Sequence, residues 1–235
     1  MSIDSDATKS GRTPTKSSSS SPDSSNQDSA PSPGSPLSAV AGCLSESLLA
    51  SAGLSTKAVH AGERRQKPEG AIAAPIFTAS TFTFESTDAL LRFVDGLEER
   101  EEYGRYGTPN ERSVEAKLAA LEGAEEAVVY SSGMAAIVGL LMSRLNQGDE
   151  IVFFDQCYHR SREFCAKHLS RFGVVTHQVP TGDFDAMEAA ITPKTKMLVS
   201  ESPTNPHLTS VDLERFVSLG KAYEVETLID ATLAT

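Results

Sequence analysis

The sequence predicts an α/β fold: a mostly parallel sheet with flanking helices. Three observations carry this expectation. Short apolar runs at 151–154 (IVFF) and 197–200 (MLVS) have the length and composition of strands buried on both faces. Segments of helical period lie between such runs and are closed by Gly123, Gly148 and Gly173. From residue 127 onward strand and helix alternate, the pattern that builds a parallel sheet with helices against it.

Ahead of that alternation, FTASTFTF at 77–84 reads as an extended arm leading to a helix. Ser86 suits that helix's N-cap, and Leu90, Leu91, Phe93, Val94 and Leu97 form its apolar stripe. Asn110 is expected to cap a second helix, in which Val114, Leu118 and Leu121 recur at i, i+4 and i+7 before Gly123. The units that follow are a strand at 127–130, a helix at 134–145 closed by Gly148 and a strand at 151–154. A helix at 161–172 stopped by Gly173, a strand at 174–179, a short helix at 184–191 and a strand at 197–200 come next. Asp212 caps a helix bearing Leu213, Phe216, Val217 and Tyr223, and 227–229 is the last strand, ending in Asp230.

Residues 1–50 are rich in Ser, Pro, Asp and Gly and offer almost nothing apolar before Leu37, so they are expected to be a disordered tail. Asp4, Asp6, Asp23 and Asp28 argue against an acid-poor transit peptide, and the apolar stretch 44–54 is too short to span a bilayer. A net charge of -11 argues against nucleic-acid or anionic-membrane partners. Cys43, Cys157 and Cys165 form no disulfide pattern, which fits a reducing, cytoplasmic compartment. The five histidines show no metal-ligand spacing.

Five places carry candidate chemistry. Ser132, Gly133 and Met134 lie between a strand and a helix, where free N–H groups and the helix dipole suit an anion; ordinary helix capping is the simpler alternative. Tyr103 and Arg105, two apart in the loop YGRYGTPN, make a good phosphate clamp unless Arg105 pairs with the acidic run 98–102. Tyr158 follows a strand end and either stacks on a flat heterocycle or packs in the core. In ESPTNP at 201–206 two prolines fix the backbone around Asn205, whose amide either bonds a ligand or merely sits in a rigid turn. Asp230 ends an apolar strand, where a carboxylate needs a partner such as a protonated pyridine nitrogen.

Taken together and in order, VHAGE at 59–63, AAPIFTAST at 73–81, YGRYGTPN, SSGMAA, DQCY, ESPTNP and IDAT resemble the Cys/Met-metabolism family of pyridoxal-phosphate (PLP) enzymes. The resemblance covers about 56–235, and ESPTNP followed by VDL, with CYHRSREF upstream, is most similar to the cystathionine γ-synthase branch. It implies the large domain of a fold-type I, aspartate-aminotransferase-like transferase. The chain then divides into a tail at 1–50, an N-terminal arm and helix at 51–102 and a partial PLP-binding α/β domain at 103–235.

By the same resemblance Ser132, Gly133 and Met134 would bind the cofactor phosphate, and Tyr103 and Arg105 would reach the phosphate of a neighbouring subunit. Tyr158 would stack on the ring and exchange protons with the substrate, Asn205 would bond the ring hydroxyl oxygen, Asp230 would keep the ring nitrogen protonated, and Thr232 would touch the ring face. The implied reaction is γ-replacement on a homoserine ester with cysteine, giving cystathionine, in a dimer of dimers. Lyase and sulfhydrylase activities of the same family are the alternatives. The family's Schiff-base lysine follows the acid by about two dozen residues, so the expectation for a chain stopping at Thr235 is a partial or inactive product, or a non-catalytic partner of a full-length subunit.

Overall fold

The apolar runs of the second half form one parallel sheet. Its strands are β1 (Glu150–Phe154), β2 (Val175–Val179), β3 (Thr195–Glu201) and β4 (Glu226–Asp230), in the order β2-β1-β3-β4. The structure is a computed structural model and describes residues 46–234. The expected disordered tail falls largely on 1–45, outside the described residues, as does Cys43. Ile151 to Phe154 and Met197 to Val199 are at most 2 % exposed. Burial on both faces is why these two central strands read as unbroken apolar runs.

Helices α5 (Gly133–Arg144), α6 (His159–Glu163), α7 (Phe184–Ala189) and α8 (Leu213–Ala222) flank the sheet. Phe154 of β1 meets Phe184 of α7 edge-on at 5.4 Å and Phe216 of α8 at 6.1 Å. Each such buried side chain is worth about 1.5–3 kcal/mol relative to exposure. The expected N-caps Asp212 and Ser86 are in place, each accepting from the backbone N–H three residues on. Residues 161–172 do not form the single α-helix expected. After α6 the chain passes through a π-helical turn (Phe164–His168) and a 3-10 turn (Leu169–Phe172) to Gly173 in the left-handed region. These shifts of hydrogen-bond spacing keep Cys165 and Leu169 buried, and a 3.6-residue pattern does not reveal them.

The first half departs further from expectation. Residues 127–130 form no strand: Val128 is 67 % exposed, and the Val129 N–H is taken by the Glu115 carboxylate at 3.0 Å. An apolar run becomes a strand only where a neighbour supplies the ladder, and β4 is the sheet edge with no such neighbour among the described residues. Helix α3 (Thr87–Val94) follows α1 (Glu46–Ser51) and α2 (Leu54–His60) and buries only Ala89; Leu90, Leu91, Val94 and Leu97 are exposed. In α4 (Pro109–Glu122) Val114 and Leu118 are likewise exposed. The N-cap of α4 is Thr108, with Pro109 at the first helical position, rather than Asn110. Asn110 instead clasps the extended arm, donating to the Phe77 carbonyl at 2.6 Å and accepting from the Phe77 N–H at 3.1 Å.

Candidate functional site

Because the strands are parallel, the segments leaving the carboxyl ends of β1, β3 and β4 emerge along one rim of the sheet. Side chains lace them together. Asp155 Oδ1 accepts from the Thr181 N–H at 2.9 Å and from its hydroxyl at 2.8 Å, and Thr181 Oγ1 accepts from the Gln156 N–H at 2.9 Å. Thr204 donates to Gln156 Oε1 at 3.3 Å and holds the Thr209 N–H at 3.0 Å. The Ser202 N–H donates to the Asp230 carbonyl at 3.1 Å.

Ser132 caps α5: its Oγ accepts from the Ala135 N–H at 3.1 Å. The N–H groups of Gly133 and Met134 take no partner among the described residues. A methyl group built on Gly133 meets nothing within 4 Å, so this turn opens onto free space. Met134 Sδ lies 3.6 Å from Ser161 Oγ, which sets the start of α5 beside the start of α6. Tyr158 precedes α6 and is half-buried, its ring edge-on to His159 at 4.9 Å rather than in the core. Asn205 is half-buried, and its amide bonds to none of the described residues; the Ser202-Pro203 and Asn205-Pro206 bonds on either side are cis. Asp230, also half-buried, accepts through Oδ1 from the Thr232 N–H at 3.1 Å and hydroxyl at 2.6 Å, which leaves Oδ2 without a protein donor among the described residues.

Tyr103 and Arg105 stand apart from this group. Tyr103 bridges to Thr81, and the Arg105 guanidinium lies 5.0 Å from the Tyr103 ring centre and 5.9 Å from that of Tyr106. The acidic run does not engage it: Glu98 pairs with Arg92 and Glu101 with Arg112. Arg105 is therefore an exposed cation on an aromatic ledge, in a shallow cavity of about 310 Å³ bounded by residues of 81–106.

Sequence reasoning missed Glu201. It ends β3 opposite Asp230 in register, is 2 % exposed, and accepts from the Tyr158 N–H at 2.6 Å. Burial, reinforced by the Asp230 charge, raises its pKa above the ordinary carboxylate value, while the Tyr158 N–H opposes the rise. Its sequence signal was the one that singled out Asp230, an acid closing an apolar strand. Asp155, Gln156 and Thr204 lie inside the DQCY and ESPTNP motifs, but neither motif shows that they, with Thr181, hold the rim together, because the partners lie on different loops. Burial pushes the thiol of Cys157 up to about 12, with Glu201 adding to the effect; Cys165, buried elsewhere, also rises to about 12.

A family model for Cys/Met metabolism PLP-dependent enzymes matches residues 55–235. The chain is 37% identical over 183 residues to a cystathionine gamma-synthase of Mycobacterium tuberculosis, covering 78% of this chain and 45% of that protein. It is 37% identical over 191 residues to an O-succinylhomoserine sulfhydrylase of Pseudomonas aeruginosa, covering 81% and 47%. Among solved structures it superposes with a TM-score of 0.73 and 25% identity on a putative O-acetylhomoserine (thiol)-lyase of Campylobacter jejuni, which carries N'-pyridoxyl-lysine-5'-monophosphate. That superposition covers 78% of this chain and 45% of the other. The chain thus spans about half the length of the curated relatives it matches. With the family model covering more than three quarters of its residues and the parallel sheet in place, the chain belongs to the Cys/Met-metabolism family of PLP-dependent enzymes.

Proposed function

We propose that this chain holds the cofactor of a PLP-dependent trans-sulfuration enzyme of the cystathionine γ-synthase type, acting by γ-replacement on a homoserine ester with cysteine to give cystathionine. The observation that carries the reading is the convergence on one rim of an open helix N-terminus, a half-buried aromatic ring, an unpartnered amide and a strand-end carboxylate with a free oxygen. These fit PLP group by group. The free N–H groups of Gly133 and Met134, beside Ser132, suit a phosphate. Tyr158 offers a ring face, Asn205 a donor for the ring hydroxyl oxygen, and Asp230 Oδ2 an acceptor for a protonated ring nitrogen, with Thr232 beside it.

When bound, PLP supplies an electron sink whose strength depends on that nitrogen staying protonated. Asp230 would keep that proton in place, with Thr232 orienting the carboxylate through Oδ1, and Tyr158 would stack on the ring and exchange protons with the substrate. Among the described residues no lysine stands at this rim. Lys194 and Lys196 lie at the opposite end of β3, Lys67 and Lys117 are tied to Glu63, Lys167 to Glu163, Lys57 sits in α2, and Lys221 is in the last turn of α8. In this reading the chain binds PLP without a covalent bond. The test is a PLP titration followed by absorbance and by borohydride reduction with peptide mapping. Saturable binding weakened at least tenfold by Asp230→Asn, with no single lysine labelled, is expected. Stoichiometric labelling of one lysine overturns the non-covalent part, and no saturable binding overturns the whole.

A partner subunit is the second part of the proposal. Arg105 pairs with no carboxylate among the described residues and lies on an exposed ledge away from the rim, and Leu90, Leu91 and Val94 of α3 and Val114 and Leu118 of α4 are exposed. Lending Tyr103 and Arg105 to the phosphate of a neighbouring copy, or of a full-length subunit, accounts for both. Sedimentation velocity should show a dimer or larger assembly, and a monomer at high concentration overturns this part.

A further inference from the structure

No Asp, Glu, Lys or Arg other than Glu201 is buried among the described residues. A carboxylate withdrawn from water is costly unless its bonds repay it. At this position an apolar residue would extend β3 with less penalty. What the acid does instead is join two loops: its backbone ends β3 in register with Asp230, and its side chain reaches the turn before α6, where Oε2 takes the Tyr158 N–H in a short, charge-assisted bond. The same peptide group is held from its other side, since Arg162 Nε donates to the Cys157 carbonyl at 3.1 Å. The backbone that aims Tyr158 is thus clamped between one anion and one cation.

We propose that Glu201 is the positioning residue for Tyr158, fixing through the Tyr158 amide where that ring stands at the strand-end rim. The inference rests on the reading of Tyr158 as the ring-stacking residue. The charged and titratable groups around Glu201 are Asp230 from β4, Cys157 and Tyr158 from the turn, and Arg162 from α6. A proton on Glu201 weakens its bond to the Tyr158 N–H, so the aim of the ring loosens as Glu201 is protonated.

The chain has five tyrosines, so labelling tyrosine alone with 15N gives a spectrum simple enough to follow without cofactor, and loss of one signal in Tyr158→Phe identifies residue 158. The Tyr158 amide is expected to lie downfield and to move as the pH falls, with a midpoint above the ordinary glutamate value of 4.5. The movement should be absent in Glu201→Gln and reduced in Glu201→Asp, which keeps the charge one methylene short. Glu201→Gln should also weaken PLP binding by about tenfold, and reduce the circular dichroism of the bound chromophore. A Tyr158 amide that does not titrate in the wild type, or one that titrates unchanged in Glu201→Asp, overturns the positioning role even if Glu201→Gln fails to fold. If the wild type binds no PLP, the cofactor reading fails, and the amide titration still decides the role of Glu201 by itself.

Discussion

The two halves of this chain place their apolar residues differently. Every member of the large buried cluster lies between Leu141 and Leu228, whereas in 46–130 the buried apolar residues are three alanines, Ala61, Ala89 and Ala119. The second half has a sheet whose central strands are covered by elements of the same chain. The first half has helices with apolar stripes of which Leu90, Leu91, Val94, Val114 and Leu118 stay exposed among the described residues, while Phe93 meets Phe84 at 5.4 Å. Identical periodicity therefore has two outcomes, and the difference is supplied by the partner surface rather than by the helix.

The strongest way to break this contrast is to truncate one large residue in each half. Phe216→Ala, in α8, should lower the unfolding free energy by about 3–5 kcal/mol in urea titration, while Leu97→Ala, 75 % exposed, should stay within about 0.5 kcal/mol for the isolated chain. A large loss at Leu97 would mean that the first half is packed after all. Next in size, Ser132→Ala removes the cap of α5 and should cost about 1 kcal/mol; Ser86→Ala on the poorly covered α3 should cost less, because that helix contributes less to the global transition.

Two carboxylates in the second half sharpen the contrast through opposite pH responses. Hydrogen bonds from Lys167, and then Arg160, hold Glu163 down to about 2. Its folded pKa is depressed, so its contribution is present above the ordinary 4.5 and is lost as the pH falls toward about 2. Glu201 is shifted the other way, so its contribution is full below 4.5 and is lost as the pH rises past its raised value. Unfolding midpoints should therefore converge for wild type and Glu163→Gln on acidification, and diverge for wild type and Glu201→Gln as the pH rises. The smallest expected effect is chemical: with both thiols pushed up to about 12, Cys157 and Cys165 should resist iodoacetamide in the native chain at mildly alkaline pH, and mapping either as a fast adduct contradicts their burial.

What was legible in the sequence follows the same division. Strands β1 and β3 announced themselves because a strand buried on both faces is apolar throughout, and the Asp212 and Ser86 caps because capping is local. The strand expected at 127–130 failed because strand formation depends on a neighbour that no local pattern specifies. Asn110 looked like a cap by residue type, yet Thr108 followed by Pro109 took that place and freed Asn110 to hold Phe77, a contact across 33 residues. At the rim, Asp230 and Asn205 were singled out by type and position, and both are half-buried there with polar atoms that bond to none of the described residues. Glu201 was hidden because its importance lies in burial and in one bond to a backbone group 43 residues away.

The outer edge of β4 has one more consequence. Its backbone pairs with β3 on one side only among the described residues, and the centre of the strand is Thr227, Leu228 and Ile229, a short template for another strand. If two copies met there antiparallel about Leu228, Glu226 of each would face Asp230 of the other, and like charges opposite one another oppose that pairing. Arg144 already pairs with Glu226 and softens the effect. The acid at the end of β4 thus opposes self-templating at this edge. Replacing both acids, Glu226→Gln with Asp230→Asn, should favour β-rich assembly through this edge, read by thioflavin fluorescence against the unaltered chain.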